Sequence, residues 1–504
     1  MDELMEPAGK DIRATALCNA SLADLADHVA VPSYDRASIT PGIVHIGVGN
    51  FHRAHLSWYV HRLMQRGGAH DWGIIGAGVM ENDRAMRQTL LAQDCLTTLI
   101  ELDPDHGRAA EIIGPMIDYV PVEADNAALI QAIADPRIRI VSMTVTEGGY
   151  FIDAATGGLD RSHPDICHDA ENRDVPRTAF GAMVAGLRRR RDTGAGPVTC
   201  LCCDNLQANG TILKQTVVGL ARLGDPDLAD WIEANCSFPN SMVDCIVPAT
   251  GPAELQLVAT LGLGDAAPVT HENFRQWVVE DDFCAGRPDW GLVGVEFSDN
   301  VHDHETRKIR ILNGGHQIIA NIGELLGLQS IAQTMETPLI SALFSKIQNE
   351  EILPHVPHLP GMSAPEYLEL IDRRFSNPAI ADTVRRVAFD GSSRHPGFLL
   401  PSIRDGLASG TAVEGLALVE ALWARMCAGT REDGSMIEAN DPHWDMLSER
   451  AATARHNATA WLQMPQIYGD LAAHTGFAGA FAAWLSAIYD DGVEVTVKKY
   501  LDRS

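Results

Sequence analysis

With 504 residues the chain is longer than one hydrophobic core usually supports, so two domains are expected and size sets no limit on building a cleft. Its 39 Lys and Arg against 67 Asp and Glu leave a formal net charge of -28, which repels nucleic acid and anionic membrane surfaces and disfavours both as partners. The 10 cysteines form neither a paired CxxC…CxxC layout nor a dense disulfide pattern, so reduced, mostly buried thiols and a cytoplasmic location are expected.

The first residues, Met1 to Glu6, are acidic where an export or mitochondrial signal would be basic. No apolar run reaches the roughly 18 residues of a membrane helix, which predicts a soluble protein that is not exported. The first half then alternates short β-branched runs with helical patterns, the signature of a parallel sheet with crossover helices. Strands are predicted at Ile43–Val48, Trp72–Val79, Leu96–Leu102, Ile138–Val145, Val198–Cys203 and Ser241–Val247. Helices are predicted at Phe51–Gln65, Asp83–Leu91, Ala124–Ala134, Thr178–Arg190 and Gly210–Leu223. The basic run Arg188 to Arg191 reads as the charged last turn of one of these helices.

After the first strand comes Gly47-Val48-Gly49-Asn50-Phe51-His52. It begins like the dinucleotide fingerprint GxGxxG but carries His52 where the third glycine belongs. Gly47 suits the tight turn, Gly49 lets backbone approach a pyrophosphate, and the following helix offers its first amides to the negative charge. The second strand ends in Met80-Glu81-Asn82-Asp83, where a carboxylate can accept from ribose hydroxyls and so favours NAD over NADP. Asp83 reads as a helix cap and Glu81 as the ribose ligand. The strands ending at Thr144-Val-Thr146-Glu147 and at Cys203-Asp204-Asn205 finish in polar residues, and in open α/β sheets ligands bind beyond such carboxyl ends.

From about Glu305 the period is helical almost throughout, broken by Pro338, Pro357, Pro360 and Pro378. The expected organisation is a dinucleotide-binding domain over residues 1–295 and a mainly α-helical domain over 296–504. Near the start of the second lies Lys308-Ile-Arg-Ile-Leu-Asn313-Gly-Gly-His316. At about 100° per residue, Asn313 falls roughly 140°, His316 roughly 80° and Glu305 roughly 60° around from Lys308, so one helix side can present all four. Burial by Ile309, Ile311 and Leu312 would favour a neutral lysine amine, a proton acceptor at neutral pH. These residues alone also fit a core helix with a snorkelling lysine. His302-Asp-His304-Glu305 looks like a metal cluster, but positions 302 and 304 diverge on a helix, and no metal is expected.

Taken together, the chain resembles the polyol-specific long-chain dehydrogenase family. The resemblance rests on Gly42 to His55, Thr144 to Glu147, Cys203 to Asn205, Pro239 to Asp244, Gln276 to Val278, Gly286 to Pro288, Lys308 to His316 and Arg374 to Pro378. It implies an α/β fold with an N-terminal Rossmann-type doubly wound sheet, a helical C-terminal domain, NAD as cofactor and no catalytic metal. It also implies that Lys308 is the general base, that Asn313 and His316 hold the oxygen on which charge develops, and that Asn205, Asp244 and Arg394 contact substrate. Glu305 is read as a proton relay from its spacing. Gly47, Gly49, Asn50, Phe51, His52, Glu81, Asn82, Thr144 and Glu147 are the expected cofactor contacts.

The activity implied is metal-independent oxidation of a secondary alcohol of an open-chain polyol, D-mannitol to D-fructose, by a monomer. The alternatives are D-arabinitol oxidation, keto-uronate (fructuronate) reduction, and a redox-inactive nucleotide-binding sensor. Cys245 stands where members carry an arginine, which disfavours a uronate. Gly315 and Gln317 flank His316 where members often carry serine or alanine, and are expected to mark substrate preference.

Overall fold

Six consecutive buried residues, Pro41–Ile46, form a strand covered on both faces, as the middle of a parallel sheet requires. In this computed structural model, which describes residues 14–503 except His28, residues 154–156 and Ala381, that strand is the centre of a five-stranded sheet. The acidic opening segment lies outside the described residues. The sheet runs Met116–Tyr119, Gly73–Ala77, Pro41–Ile46, Ile140–Met143, Thr199–Cys202, every pair parallel. In chain order this is 3-2-1-4-5, the doubly wound arrangement. The order reverses between Pro41–Ile46 and Ile140–Met143, so the crevice for a ligand opens where Gly47–Gly49 and Thr144–Thr146 leave the sheet.

Two predicted strands belong elsewhere. Thr97–Asp103 is the middle of a separate sheet, antiparallel to Gly107–Ile113 and parallel to Val269–Glu272. The turn at Asp103-Pro-Asp-His-Gly107 makes this hairpin, since Asp103 accepts from the amides of Asp105 and His106 at 2.8 and 3.0 Å and Gly107 takes φ +84°. Ser241–Asp244 lies antiparallel to Gln276–Val279 in a third sheet. The helix predicted as Phe51–Gln65 is two, Asn50–Ala54 and Leu56–Gln65, broken at His55, which leaves helical geometry (φ -118°, ψ -92°) and donates from Nε2 to the Gln276 carbonyl at 3.2 Å.

The chain divides into two compact units, one up to His302 and one from Asp303. In the second unit, helix Gly314–Leu325 is buried along its whole length and runs through a core that includes Ile318, Ile322, Phe344, Phe375, Leu416 and Trp423. A helix buried on every side is held by packing rather than by amphipathic contrast. Among the described residues no helix is long and apolar enough to cross a membrane.

Candidate active site

The first unit builds a cradle at the sheet's reversal point. Gly47 has φ +91°, and a Cβ there would sit 2.1 Å from the Thr144 carbonyl oxygen, so no other residue lets these two strand ends approach. Thr144 donates from Oγ1 to the Gly47 carbonyl at 2.7 Å. The buried His45 braces the same junction, with Nδ1 2.8 Å from Ser142 Oγ and Nε2 3.1 Å from the Gly47 carbonyl. Burial pushes this imidazole down to about 3, so it braces the turn as a neutral ring. Gly49, by contrast, is exposed and a Cβ added there meets nothing within 4 Å. Open space above a glycine at the start of helix Asn50–Ala54 suits a pyrophosphate, which could approach the first amides closely. The residues present therefore fit a dinucleotide.

Several predicted cofactor contacts are spent inside the protein. The His52 ring is 1% exposed, stacks on His45 with centroids 3.4 Å apart and lies 3.1 Å from Ser57 Oγ. It fills the helix–strand interface that a third glycine would leave tight, so only its backbone can face a cofactor. Asn50 donates from Nδ2 to the Pro248 carbonyl and to Thr250 Oγ1, each at 2.9 Å, and accepts from the buried Arg53 at 2.7 Å. It ties the turn to the segment beyond Pro248. Phe51, half-buried, stacks on His55 with centroids 4.8 Å apart.

At the end of Gly73–Ala77, Asp83 accepts from the amides of Val79 and Met80, both at 2.9 Å. It therefore shapes the strand-to-helix turn rather than capping its own helix, a position held by Asn82. Glu81 and Asn82 are exposed, and Glu81 meets Arg84 at 2.8 Å. An exposed pair of this kind is weak and leaves the carboxylate available to a ribose.

One residue that the sequence reading treated only as polar punctuation proves central to this rim. Asp204 accepts from the Val145 and Thr146 amides at 3.0 Å each and from Tyr150 Oη at 2.6 Å. Thr146 has φ 70° and ψ 156°, a conformation costly for a β-branched residue and kept only where its surroundings impose it. Asp204 imposes it. Glu147 follows in a short 3-10 turn; its side chain lies outside the described residues. Asn205 is partly exposed just past Asp204, while Asp244 is 4% exposed at the end of its strand.

The second unit holds the lysine. Lys308 ends helix Val301–Lys308 and is 7% exposed, with Glu305 at 3% one turn earlier. His302 is exposed and His304 buried, so the two point apart, and among the described residues no cluster of His, Cys, Asp or Glu is placed to hold a metal ion.

The helix does not continue regularly. Ile309–Asn313 forms a π-helical turn, in which the Gly314 amide reaches back to the Ile309 carbonyl, before α-helix resumes at Gly314. A turn closed five residues back is wider than an α-turn, so the roughly 140° between Lys308 and Asn313 expected of a regular helix shrinks. The wider turn thus carries Asn313 nearer to the side of Lys308 than regular spacing predicts. π-turns of this sort recur at functional sites.

Asn313 Oδ1 and His316 Nε2 are buried and have no hydrogen-bond partner among the described residues. Gln317 Oε1 and Asn321 Oδ1 on the same helix are also unpartnered among the described residues, so what distinguishes Asn313 and His316 is their place about one and two turns after Lys308. His316 stacks on Phe375 with centroids 4.2 Å apart and a 16° tilt. Burial first, then the charges of Arg386, Arg394 and Arg374, which outnumber that of Asp382, bring it down to about 3. Neutral imidazole with a proton on Nε2 is a donor that needs no charge change to work.

Arg394 donates from Nη1 to the Val387 carbonyl at 2.6 Å, at the end of helix Val384–Ala388. The neighbours expected to tune substrate choice face the core instead. Gln317 is 1% exposed and donates to the Val387 carbonyl at 3.2 Å. Gly315 is enclosed by Phe344, Phe375 and Gln348.

Comparison with known proteins finds matches in both units of the chain. Residues 41–292 match the Mannitol dehydrogenase Rossmann domain and residues 300–489 the Mannitol dehydrogenase C-terminal domain. The chain is 54% identical to a mannitol 2-dehydrogenase of Cereibacter sphaeroides, over 94% of this chain and 99% of that one. It is 38% identical to one from Aspergillus terreus, over 94% and 96%. Among solved structures, it is similar to the Pseudomonas fluorescens mannitol 2-dehydrogenase in ternary complex with NAD and D-mannitol, with TM-score 0.90, 39% identity, and 97% and 100% of the two chains covered. It is also similar to a substrate-free D-sorbitol dehydrogenase, with TM-score 0.86, 33% identity, and 96% and 100% covered.

Proposed function

Since the chain belongs to the mannitol dehydrogenase family, we propose that it oxidises D-mannitol to D-fructose by taking the hydroxyl proton on Lys308 and holding the oxygen on Asn313 and His316. It is an NAD-dependent polyol dehydrogenase, and mannitol is the polyol for which the mannitol 2-dehydrogenases among its relatives are named. The observation that supports the residue roles is the succession of buried Lys308, the wide turn that carries Asn313, and His316, whose Nε2 has no hydrogen-bond partner among the described residues, along one helical stretch.

A polyol hydroxyl must lose its proton as its carbon loses hydride. Lys308, as neutral amine, accepts that proton, and a buried amine reaches the neutral form more readily than one in water. Asn313, its amide turned to present NH2, and His316, through Nε2–H, donate to the oxygen as it becomes negative. Donors fixed in place before the reaction give the largest share of such stabilisation. Glu305, one turn from Lys308, passes the proton onward. NAD+, when bound, would supply the hydride acceptor, and the Gly47–Gly49 turn, the first amides of helix Asn50–Ala54, Asn82, Thr144 and the Glu81 carboxylate would hold it. In the reverse direction protonated Lys308 acts as the acid.

Asn205, Asp244 and Arg394 take the remaining hydroxyls. The neutral Cys245, next to Asp244, offers no cation for a uronate carboxylate, which supports a polyol over a keto-uronate. The net charge of -28 supports a protein without nucleic-acid partners, working as a cytoplasmic monomer; size-exclusion chromatography with light scattering reports the assembly.

The assignment is tested with mannitol, sorbitol, arabinitol, xylitol and fructuronate, each with NAD(H) and NADP(H), followed by nicotinamide absorbance. D-mannitol with NAD+ is expected to give the highest kcat/KM. A higher value with another polyol or with fructuronate would reassign the substrate. Preference for NADP(H) would remove Glu81 as the ribose ligand.

A further inference from the structure

Two π-helical turns stand next to each other in the second unit, and one side chain joins them. The first, Ile309–Asn313, carries Asn313; the second, Gln348–Ile352, begins with Gln348. Gln348 is fully buried and donates from Nε2 to the Ile311 carbonyl at 2.8 Å. A helix that widens for one turn breaks its regular ladder, and the carbonyls it displaces need donors from elsewhere. Gln348 supplies a side-chain donor in the middle of that turn, to a carbonyl that shares the Gly314 amide with Ile309.

Two further observations show that the amide is kept for this bond. Its Oε1 has no hydrogen-bond partner among the described residues, a cost that an apolar side chain in its place would not carry. Gly315 leaves the room: a Cβ there would lie 2.9 Å from Gln348 Nε2 and 2.8 Å from Phe344 Cε2.

We infer that Gln348 is a positioning residue: by holding the Ile311 carbonyl it keeps the 309–313 turn wide and so keeps Asn313 on the side of Lys308. This rests on the role proposed for Asn313. Gln348 touches no substrate. Without its bond the turn tightens toward regular α-geometry and swings the Asn313 amide away from the reacting oxygen.

The test is a double-mutant cycle on the full-length enzyme with Gln348→Leu and Asn313→Ala, reading kcat for mannitol oxidation and the dissociation constant of NADH. Gln348→Leu alone should lower kcat by about 10- to 100-fold, the range that misplacement of about an ångström can produce, with NADH binding unchanged. In the Asn313→Ala background the same change should cost less than about twofold, because both act through one amide. Multiplicative losses, an unchanged kcat in folded Gln348→Leu, or a parallel loss of NADH binding would each overturn the inference. Should Gln348→Leu not fold, Gly315→Ala displaces the amide with a single methyl and is read against the same outcomes. If Asn313→Ala alone leaves kcat intact, the proposed role of Asn313 fails, a result separate from any behaviour of Gln348.

Discussion

Replacing Lys308 by alanine is expected to lower mannitol oxidation by about 10²- to 10⁴-fold, the usual contribution of a positioned general base, while NADH binding stays within about twofold of the parent. The separation follows from where the residues sit. The cradle of Gly47, Gly49 and Glu81 is built by the first unit from strand ends and one short helix, whereas Lys308 belongs to the second. Because Lys308 is 7% exposed, truncation also leaves a cavity. Lys308→Met keeps most of the volume without the amine and is expected to lose as much activity. Near-parental turnover in either variant, or a loss of NADH binding matching the loss of rate, would remove Lys308 as the base. The pH dependence has a definite sign: oxidation needs the neutral amine, so its kcat/KM rises with pH, whereas ketose reduction needs the protonated amine and falls.

His316→Ala and Asn313→Ala are each expected to lower kcat by about 10²- to 10³-fold, the cost of removing one donor from an oxyanion site. Burial holds His316 at about 3, so it is neutral at every pH where the enzyme is assayed, and its loss should lower the whole pH–rate curve without removing a limb. A limb near pH 6.5 in the parent that vanishes in His316→Ala would show instead that this imidazole titrates during catalysis. The ring also stacks on Phe375 at 4.2 Å. His316→Phe keeps that contact, so a rate as low as that of the alanine variant assigns the loss to the missing N–H.

The parallel sheet was legible because its strands are short β-branched runs between helical stretches, and period alone distinguishes the two. Pattern could not say which strands share a sheet. Thr97–Asp103 reads like its neighbours, but the turn chemistry of Asp103 to Gly107 folds it back into a hairpin, a signal present in the sequence and outweighed by the alternating pattern. His52 in place of the third glycine was visible. That its ring would stack on His45 was not, because the contact spans a helix and a strand.

In the second unit the spacing from Lys308 to His316 pointed to a shared side, but the π-turn that brings Asn313 around depends on Gln348, 37 residues further along the chain. Asp204 and the strained Thr146 were hidden for a similar reason. A carboxylate's partners are tertiary, and backbone strain has no sequence signature in a threonine.

Hydride is expected to leave the C2 carbon of mannitol as Lys308 removes the hydroxyl proton. The direct measurement uses D-mannitol deuterated at C2 and, because the molecule is symmetric, at C5, with the full-length enzyme and NAD+. The products are resolved by mass and NMR. Deuterium at C4 of the reduced nicotinamide, with fructose as the ketose, is the expected result. Reduced cofactor without deuterium, or no reduced cofactor from mannitol, would contradict this.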